Sequence, residues 1–462
     1  MRRISRQLHQ FRVNRPGLWL AVLLAGASLL QPASSARAQD AGAIPAKRET
    51  PKEVQIENEL VTEGAVEDWR KTDRQTFGTD LFAGKLNNTT QPKIAEGIRI
   101  LVHELSLKSR RDTLTDTRRK IIREIDPNAK GQQMREFVMN EMIKRSVEML
   151  DGNYHVRLHA VQLISELNID PGQYPRKPPI ACIEGVAPLL DVIDPPQGGI
   201  QQPDAVRILA ASGIARLLKE GKQTLPPNQK LTPEVARRVL GQLAKRQHPW
   251  YTNRLMEALI ETGLPTVAVG ENPPRPLIVE TLARHVTDVT QPYSVRTHAM
   301  YCLGRTPMPG GINSAPIAWA ASQLAAQIAT DINQGKVNGT RGFFLLQSIY
   351  YGYKPATQDE LTTDGRGKAG LTNTLPGQPI QTAYRDLLPL FNEIIKQLAE
   401  NSRVIAPPPA IQTLRQVQKP QDMTLAPGGP AIDKPVTPQK PPNQVQNQAN
   451  GPANAAVTPN AG

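Results

Sequence analysis

Ser294-Val295-Arg296-Thr297-His298-Ala299-Met300-Tyr301-Cys302-Leu303-Gly304 is the stretch that decides the fold. It is helical in pattern, and it recurs. Arg157, Arg207 and Arg296 each follow a valine and precede an alanine three places on. Arg254 and Arg341 sit at compatible places, giving spacings of 50, 47, 42 and 45 residues. Such a period is the trace of stacked helical units. One amphipathic helix pair cannot bury its apolar faces alone, and a neighbour completes the core.

Working outward, five helix pairs are predicted. The first joins 132–150 to 154–168 across Asp151-Gly152-Asn153. Its second helix carries Val156, Ala160, Leu163, Ile164 and Leu167 on one face, at helical spacing. The second pair joins 180–193 to 204–219, repeating that face as Val206, Ala210, Gly213, Ile214 and Leu217. The third joins a helix capped by Thr232 and ending near Gln247 to 250–262. The fourth is 277–289 with 293–303, and the fifth 316–332 with 340–350. A pair near 92–125 precedes them, and a helix over 383–400 closes the stack. No segment sustains a period of two, so no sheet is expected. Phe77-Gly78-Thr79-Asp80 and 84–90 read as loop.

The ends differ from the middle. Arg2, Arg3, Arg6, Arg12 and Arg15 precede an apolar run from Leu18 to Leu30, and Ala36-Arg37-Ala38 offers small residues at a cleavage site. This predicts a secretory signal peptide over 1–38. Its 13 apolar residues would span about 20 Å as a helix, short of a ~30 Å hydrocarbon core. Residues 39–91 read as linker and irregular segment, and 92–400 as the repeat domain. Residues 401–462 are rich in Pro, Gln and Asn and hold no aromatic ring. A disordered tail is expected there, because little apolar surface offsets the ordering entropy.

The formal charge of +13 falls to +7 once the six arginines of 1–38 are removed. With no concentrated basic run, a nucleic-acid partner is not expected. Cys182 and Cys302 lie about two units apart, roughly 20 Å at a helix diameter of ~10 Å per unit. A disulfide needs Cα atoms within about 7 Å, so buried free thiols are favoured.

The Val-Arg-x-x-Ala pattern, closed in one case by Leu303-Gly304, resembles HEAT and armadillo-type repeats. The resemblance covers roughly 130–352, and points to no particular member. It implies an all-α fold, a right-handed α-solenoid of stacked antiparallel helix pairs, with the second helix of each pair lining a concave face. It also implies a structural ladder of Arg157, Arg207 and Arg296 with Asp151, Asp204 and Asp288 as acidic partners. The third and fifth units depart from the pattern: Glu257 stands where a small residue is expected, and Gly342-Phe343-Phe344 replaces the small-residue run.

Catalytic patterns are weak. His155 and His159 share a helix face, but Val156 follows His155, so no H-E-x-x-H motif forms. His103-Glu104 is a single pair where the di-iron hydroxylases of the HEAT type carry several. Gly365 to Gly370 matches G-x-G-x-x-G without the strand and helix that a phosphate cradle needs. No metal, cofactor or catalytic residue is therefore expected. Aromatic residues gather near helix ends: Tyr154, Trp250, Tyr251, Tyr293, Tyr350, Tyr351 and Tyr353. Aromatic anchors are enriched at interface hot spots. The expected function is an exported scaffold or adaptor that binds a protein or peptide. The alternatives are an accessory subunit of an envelope enzyme and a binder of anionic cell-wall polymer.

Overall fold

The computed structural model describes residues 59–173, 177–225, 230–245, 247–267, 275–354 and 370–434. The expected signal peptide and 39–57 lie outside these residues, as do most of the glycine motif at 365–370 and the chain beyond 434.

Among the described residues the protein is all-α apart from one two-stranded ribbon. It opens with α1 (Glu63–Thr72), α2 (Arg74–Ala83) and α3 (Thr90–His103). Thr62 caps α1, its hydroxyl accepting from the Ala65 N–H at 3.2 Å. The segment expected to be irregular, with a short helix open over 65–70, thus holds two full helices, and Phe77–Asp80 lies within α2 rather than in a loop. The reason is tertiary. Trp69 and Phe77 meet edge to face at 5.4 Å and close over Gly97 of α3, where a side chain would collide with both rings.

After α4 (Leu114–Ile125) come five pairs. They are α5 (Gln132–Glu148) with α6 (Tyr154–Glu166), α7 (Val186–Ile193) with α8 (Asp204–Gly221), and α9 (Leu231–Leu243) with α10 (Pro249–Glu261). Then follow α11 (Leu277–Thr287) with α12 (Tyr293–Leu303), and α13 (Ala315–Asn333) with α14 (Gly339–Tyr353). Second helices pack in chain order, α6 on α8, α8 on α10, α10 on α12 and α12 on α14. First helices do the same from α7 through α9 and α11 to α13. α6 joins two apolar cores. Val156, Ala160 and Leu163 face the amino-terminal one, and Val161 and Ile164 the larger one.

Two local expectations change. The helix expected from Ile180 starts at Val186, because Ile180–Ala181 pairs antiparallel with Asn168–Asp170. The second of these strands follows Pro178-Pro179, and proline lacks the N–H that a helix would need there. α9 starts at Leu231 after Lys230, so Thr232 lies inside the helix rather than capping it.

The largest change lies at the end. α15 (Leu371–Thr374) and α16 (Gln378–Ala399) are followed by α17 (Pro408–Arg415), which packs on α13 and α16. Residues 401–434 are therefore ordered, against the expectation of disorder from 401. Ala406, Leu414, Met423, Leu425 and Ile432 are buried in the main core. Asn333 fixes the path: its side chain donates to the Ala406 carbonyl at 2.8 Å and accepts from the Ala406 N–H at 2.7 Å. Five spaced apolar side chains suffice because the surface of the stacked helices receives them, a complement no composition count contains.

Candidate functional site

The caps put the repeats in register. Asn153, Pro203, His248, Pro292 and Asn338 precede α6, α8, α10, α12 and α14. Asn153 accepts from the Val156 N–H at 3.1 Å and His248 from the Trp250 N–H at 3.3 Å. Four residues past each cap stand Arg157, Arg207, Thr252, Arg296 and Gly342, all buried. Arg254 and Arg341 are not equivalent to the other arginines. In α10 Tyr251 fills the valine position, and in α14 Gly342 fills the arginine position.

The buried arginines do form links between units; of the acidic partners the resemblance implied, Asp204 pairs with Arg207, while Asp151 and Asp288 make no ion pair with an arginine among the described residues. Arg157 donates to the Gly152 carbonyl at 2.6 Å and to Gln202 at 3.3 Å. Arg207 donates to Gln242 at 3.0 Å and pairs with Asp204 of its own helix at 3.3 Å. Gln242 in turn donates to Asp194 at 2.6 Å. Arg296 donates to the Val286 carbonyl at 2.9 Å and to Gln327 at 3.0 Å. Each guanidinium thus reaches a glutamine. Asp288 instead accepts from the N–H and hydroxyl of Thr290, and Asp151 is exposed at a cleft of about 450 Å³ shared with Lys108 and Glu148. Gln202, Gln242 and Gln327 stand at unequal distances from their arginines, so no spacing in the sequence reveals them.

The seven aromatic residues do not share an edge. Tyr251 is fully buried beneath the Arg207 guanidinium, 4.3 Å from its ring centre, and burial pushes its hydroxyl up to about 12. Tyr293 is buried and donates to Asp331 at 2.6 Å. Tyr353 is buried against Tyr384. Tyr350 stacks on Phe391 at 4.6 Å. These four are core or near-core packing. Trp250 is 71% exposed, and Tyr154 and Tyr351 are half-buried.

What the register does bring to the surface is a different set. The sixth, ninth and thirteenth residues past each cap lie nearly opposite the buried face, as a 3.6-residue turn requires. On α6 these are His159, Gln162 and Glu166, and on α8 Leu209, Ser212 and Arg216. α10 supplies Arg254, Glu257 and Glu261, α12 supplies His298 and Tyr301, and the turn that follows α12 supplies Arg305. α14 ends the row with Phe344, Gln347 and Tyr351. None of the fifteen is buried. Because these helices pack in order, the positions form one strip.

The strip changes character along its length. At the α6 end Arg118 of α4 donates to Glu166 at 3.0 Å and lies 2.8 Å from Nδ1 of His159. Burial and that guanidinium pull His159 down to about 4. His155 is exposed beside Tyr154, so the two histidines face different neighbours. At the centre Glu257 joins Arg254 to His298, with His298 Nε2 3.3 Å from the carboxylate. Burial lowers the His298 imidazole, but Cys302 and Glu257 outweigh it and push it up to about 10. Burial likewise raises Glu257, and the His298 and Arg254 cations outweigh it, leaving the carboxyl below its ordinary value. Beyond it His298 stacks on Tyr301 at 5.6 Å, and Arg305 lies over the same ring at 3.4 Å. Phe344, 59% exposed, ends the row.

Cys302 and Cys182 are buried and unbridged. Cys182 donates to Glu184 at 3.1 Å, and burial pushes its thiol up. Cys302 is fully buried beneath the strip. His103 lies 2.9 Å from Glu148, while Glu104 pairs with Arg70 at 2.6 Å and Arg110 at 3.0 Å, so the two neighbours serve separate ion pairs. Among the described residues no group of three His, Cys, Asp or Glu side chains is placed to hold a metal ion, and no helix is long and apolar enough to cross a membrane.

No protein-family model, no curated protein and no solved structure matches the chain.

Proposed function

We propose that the chain is an exported helical-repeat scaffold of the HEAT type, an α-solenoid that binds an extended protein or peptide segment along the α6-to-α14 strip. The observation that carries this reading is the strip itself: fifteen unburied positions in one register along five successively packed helices. The amino-terminal half is polar and internally ion-paired, which favours orientation over affinity. The α12–α14 half presents Tyr301, Phe344 and Tyr351 with Arg305, the residue types that dominate interface energetics. A partner segment with an apolar anchor and neighbouring polar groups fits this order. The role is non-catalytic, as Cys302 lies beneath His298 rather than open to a substrate. Export rests on the basic and apolar segments of 1–38.

The test is selection of random peptides on residues 59–434, followed by calorimetric titration of the selected sequences. The expected result is binding weakened about tenfold or more by the double substitution Arg305→Ala with Phe344→Ala, as for hot-spot residues, and unchanged by Lys144→Ala. Selected peptides insensitive to the double substitution, or hydrolysis or transfer by the purified chain, would count against the scaffold reading. Export is checked separately, by sequencing the amino terminus of the mature chain. Gln39 is expected.

A further inference from the structure

A cleft of about 420 Å³ opens away from the strip, between the end of α11 and the α13 surface, with α17 along its side. Its volume falls within the ~300–1,000 Å³ usual for small-molecule sites. The charges facing it are unequal. Arg296, Lys336 and Arg415 line it, against the single carboxylate of Asp331. Asp331 is already engaged: it accepts from the Tyr293 hydroxyl at 2.6 Å and lies 3.8 Å from Lys336.

Arg296 is the unusual member. It is only 5% exposed, yet among the described residues it has no carboxylate in ion-pair contact. Its Nε and Nη1 donate to a carbonyl and an amide, and the residue lines the cleft. Burial pulls the guanidinium below its ordinary value. Asp288 acts on it only through space, without an ion-pair contact; a buried cation so weakly compensated is costly, and a bound anion reduces that cost. Arg415 lines the same cleft from α17, held by a 2.8 Å bond to the Thr330 hydroxyl, one turn along α13 from the Gln327 that Arg296 reaches. Guanidinium groups suit carboxylate and phosphate because their donors match paired oxygens. Trp319 supplies an apolar face at the same cleft, with Lys419 5.5 Å above its ring.

We infer that this cleft is a binding site for a small organic anion, a carboxylate or phosphate joined to an apolar body, with the anionic group between Arg296 and Arg415 and the body against Trp319. Residues 408–415, folded back onto α13, supply Arg415 to this site. The ligand therefore joins the carboxy-terminal segment to the repeat stack.

The experiment is calorimetric titration of the full mature chain with benzoate, phenyl phosphate and neutral benzamide, with intrinsic Trp fluorescence as a second reading. The expected result is saturable binding of at least one of the two anions and none of benzamide. Phenyl phosphate alone assigns the site to phosphate esters, benzoate alone to carboxylates, and both to either group. Arg415→Gln, at an exposed residue, is expected to weaken binding about tenfold, the loss of one charge-assisted contact. Trp319→Phe is expected to remove the fluorescence response while leaving binding of the anion. Arg296→Gln, checked as folded by circular dichroism, is expected to abolish binding. Absence of saturable binding by both anions, equal binding of benzamide, or an affinity unaltered by Arg415→Gln overturns the proposal.

Discussion

Gly304 and Gly352 meet backbone against backbone where α12 packs on α14. A Cβ on Gly352 would lie 2.6 Å from the Met300 carbonyl oxygen, and one on Gly304 would overlap the Gly352 carbonyl. The Gly304 carbonyl also accepts from the Gly370 N–H at 2.6 Å. This contact sets the approach of the last repeat and the entry of the chain toward α15. Gly304→Ala and Gly352→Ala should each destabilise by about 1–3 kcal/mol or more, as overpacking against rigid backbone does. Gly241→Ala in α9, where a new Cβ meets nothing within 4 Å, should instead add up to ~1 kcal/mol from helix propensity. Urea unfolding of the three variants checks the contrast.

The Arg207–Gln242 link, 3.0 Å long and buried, ties α8 to α9. Arg207 also covers the Tyr251 ring. Arg207→Met should cost about 2–4 kcal/mol, since it strips the buried Gln242 oxygen of its donor and takes the cation from the Tyr251 face. Gln242→Leu should cost about 1–3 kcal/mol. The double variant should be less destabilised than the sum, by roughly 0.5–3 kcal/mol, the range for residues in one network. Strict additivity would show that the link contributes no stability of its own.

Truncation separates the ordered carboxy-terminal segment from the chain beyond it. Ending the protein after Asn401 removes Leu414, Leu425 and Ile432 from the main core and uncovers the surface they bury. At about 1.5–3 kcal/mol for each large apolar side chain, the midpoint of thermal unfolding should fall by many degrees. Ending it after Lys434 retains those contacts and should leave a much smaller shift. Equal melting of both truncations would contradict the packed segment.

Two histidines give pH dependence of opposite sign. His285 is buried, and neither ring nitrogen has a hydrogen-bond partner among the described residues. Burial pulls it down to about 4, with Asp288 opposing. The unfolded chain binds this proton near pH 6.5, so stability present above that value is lost as the pH falls toward 4, by about 3 kcal/mol at most. His285→Leu should flatten the curve in that window. For His298 the folded value is raised to about 10. Its contribution is complete below about pH 6.5 and lost as pH rises through 10. The His298 ring should therefore show no proton-NMR titration between about pH 5 and 8, and Glu257→Gln should bring its titration toward that range.

Helix was legible in the sequence because amphipathic period is local. α12 begins at Tyr293 and ends at Leu303, as the quoted stretch predicted, and most other boundaries shift by a few residues. The repeat register was legible in part. Arg157, Arg207 and Arg296 share a buried position, while Arg254 and Arg341 matched only by spacing. Their true counterparts, Thr252 and Gly342, carry no arginine and could be found only from the caps. The strip was not legible for the same reason, since membership depends on a one-residue register on each helix. Aromatic residues drew attention as candidate anchors, but a tyrosine reads alike in sequence whether it fills a core, as Tyr251 does, or lies at the surface, as Tyr351 does in part.

By itself, then, the sequence determined an all-α chain with a repeating unit near 45 residues, because hydrophobic period and chain punctuation are properties of neighbours. Tertiary structure alone decided three things. It chose glutamines as the partners of the buried arginines, it folded residues 401–434 onto the helix stack, and it brought Arg296 and Arg415 to one cleft. Each joins groups dozens of residues apart, through contacts whose energy exists only once the helices are stacked.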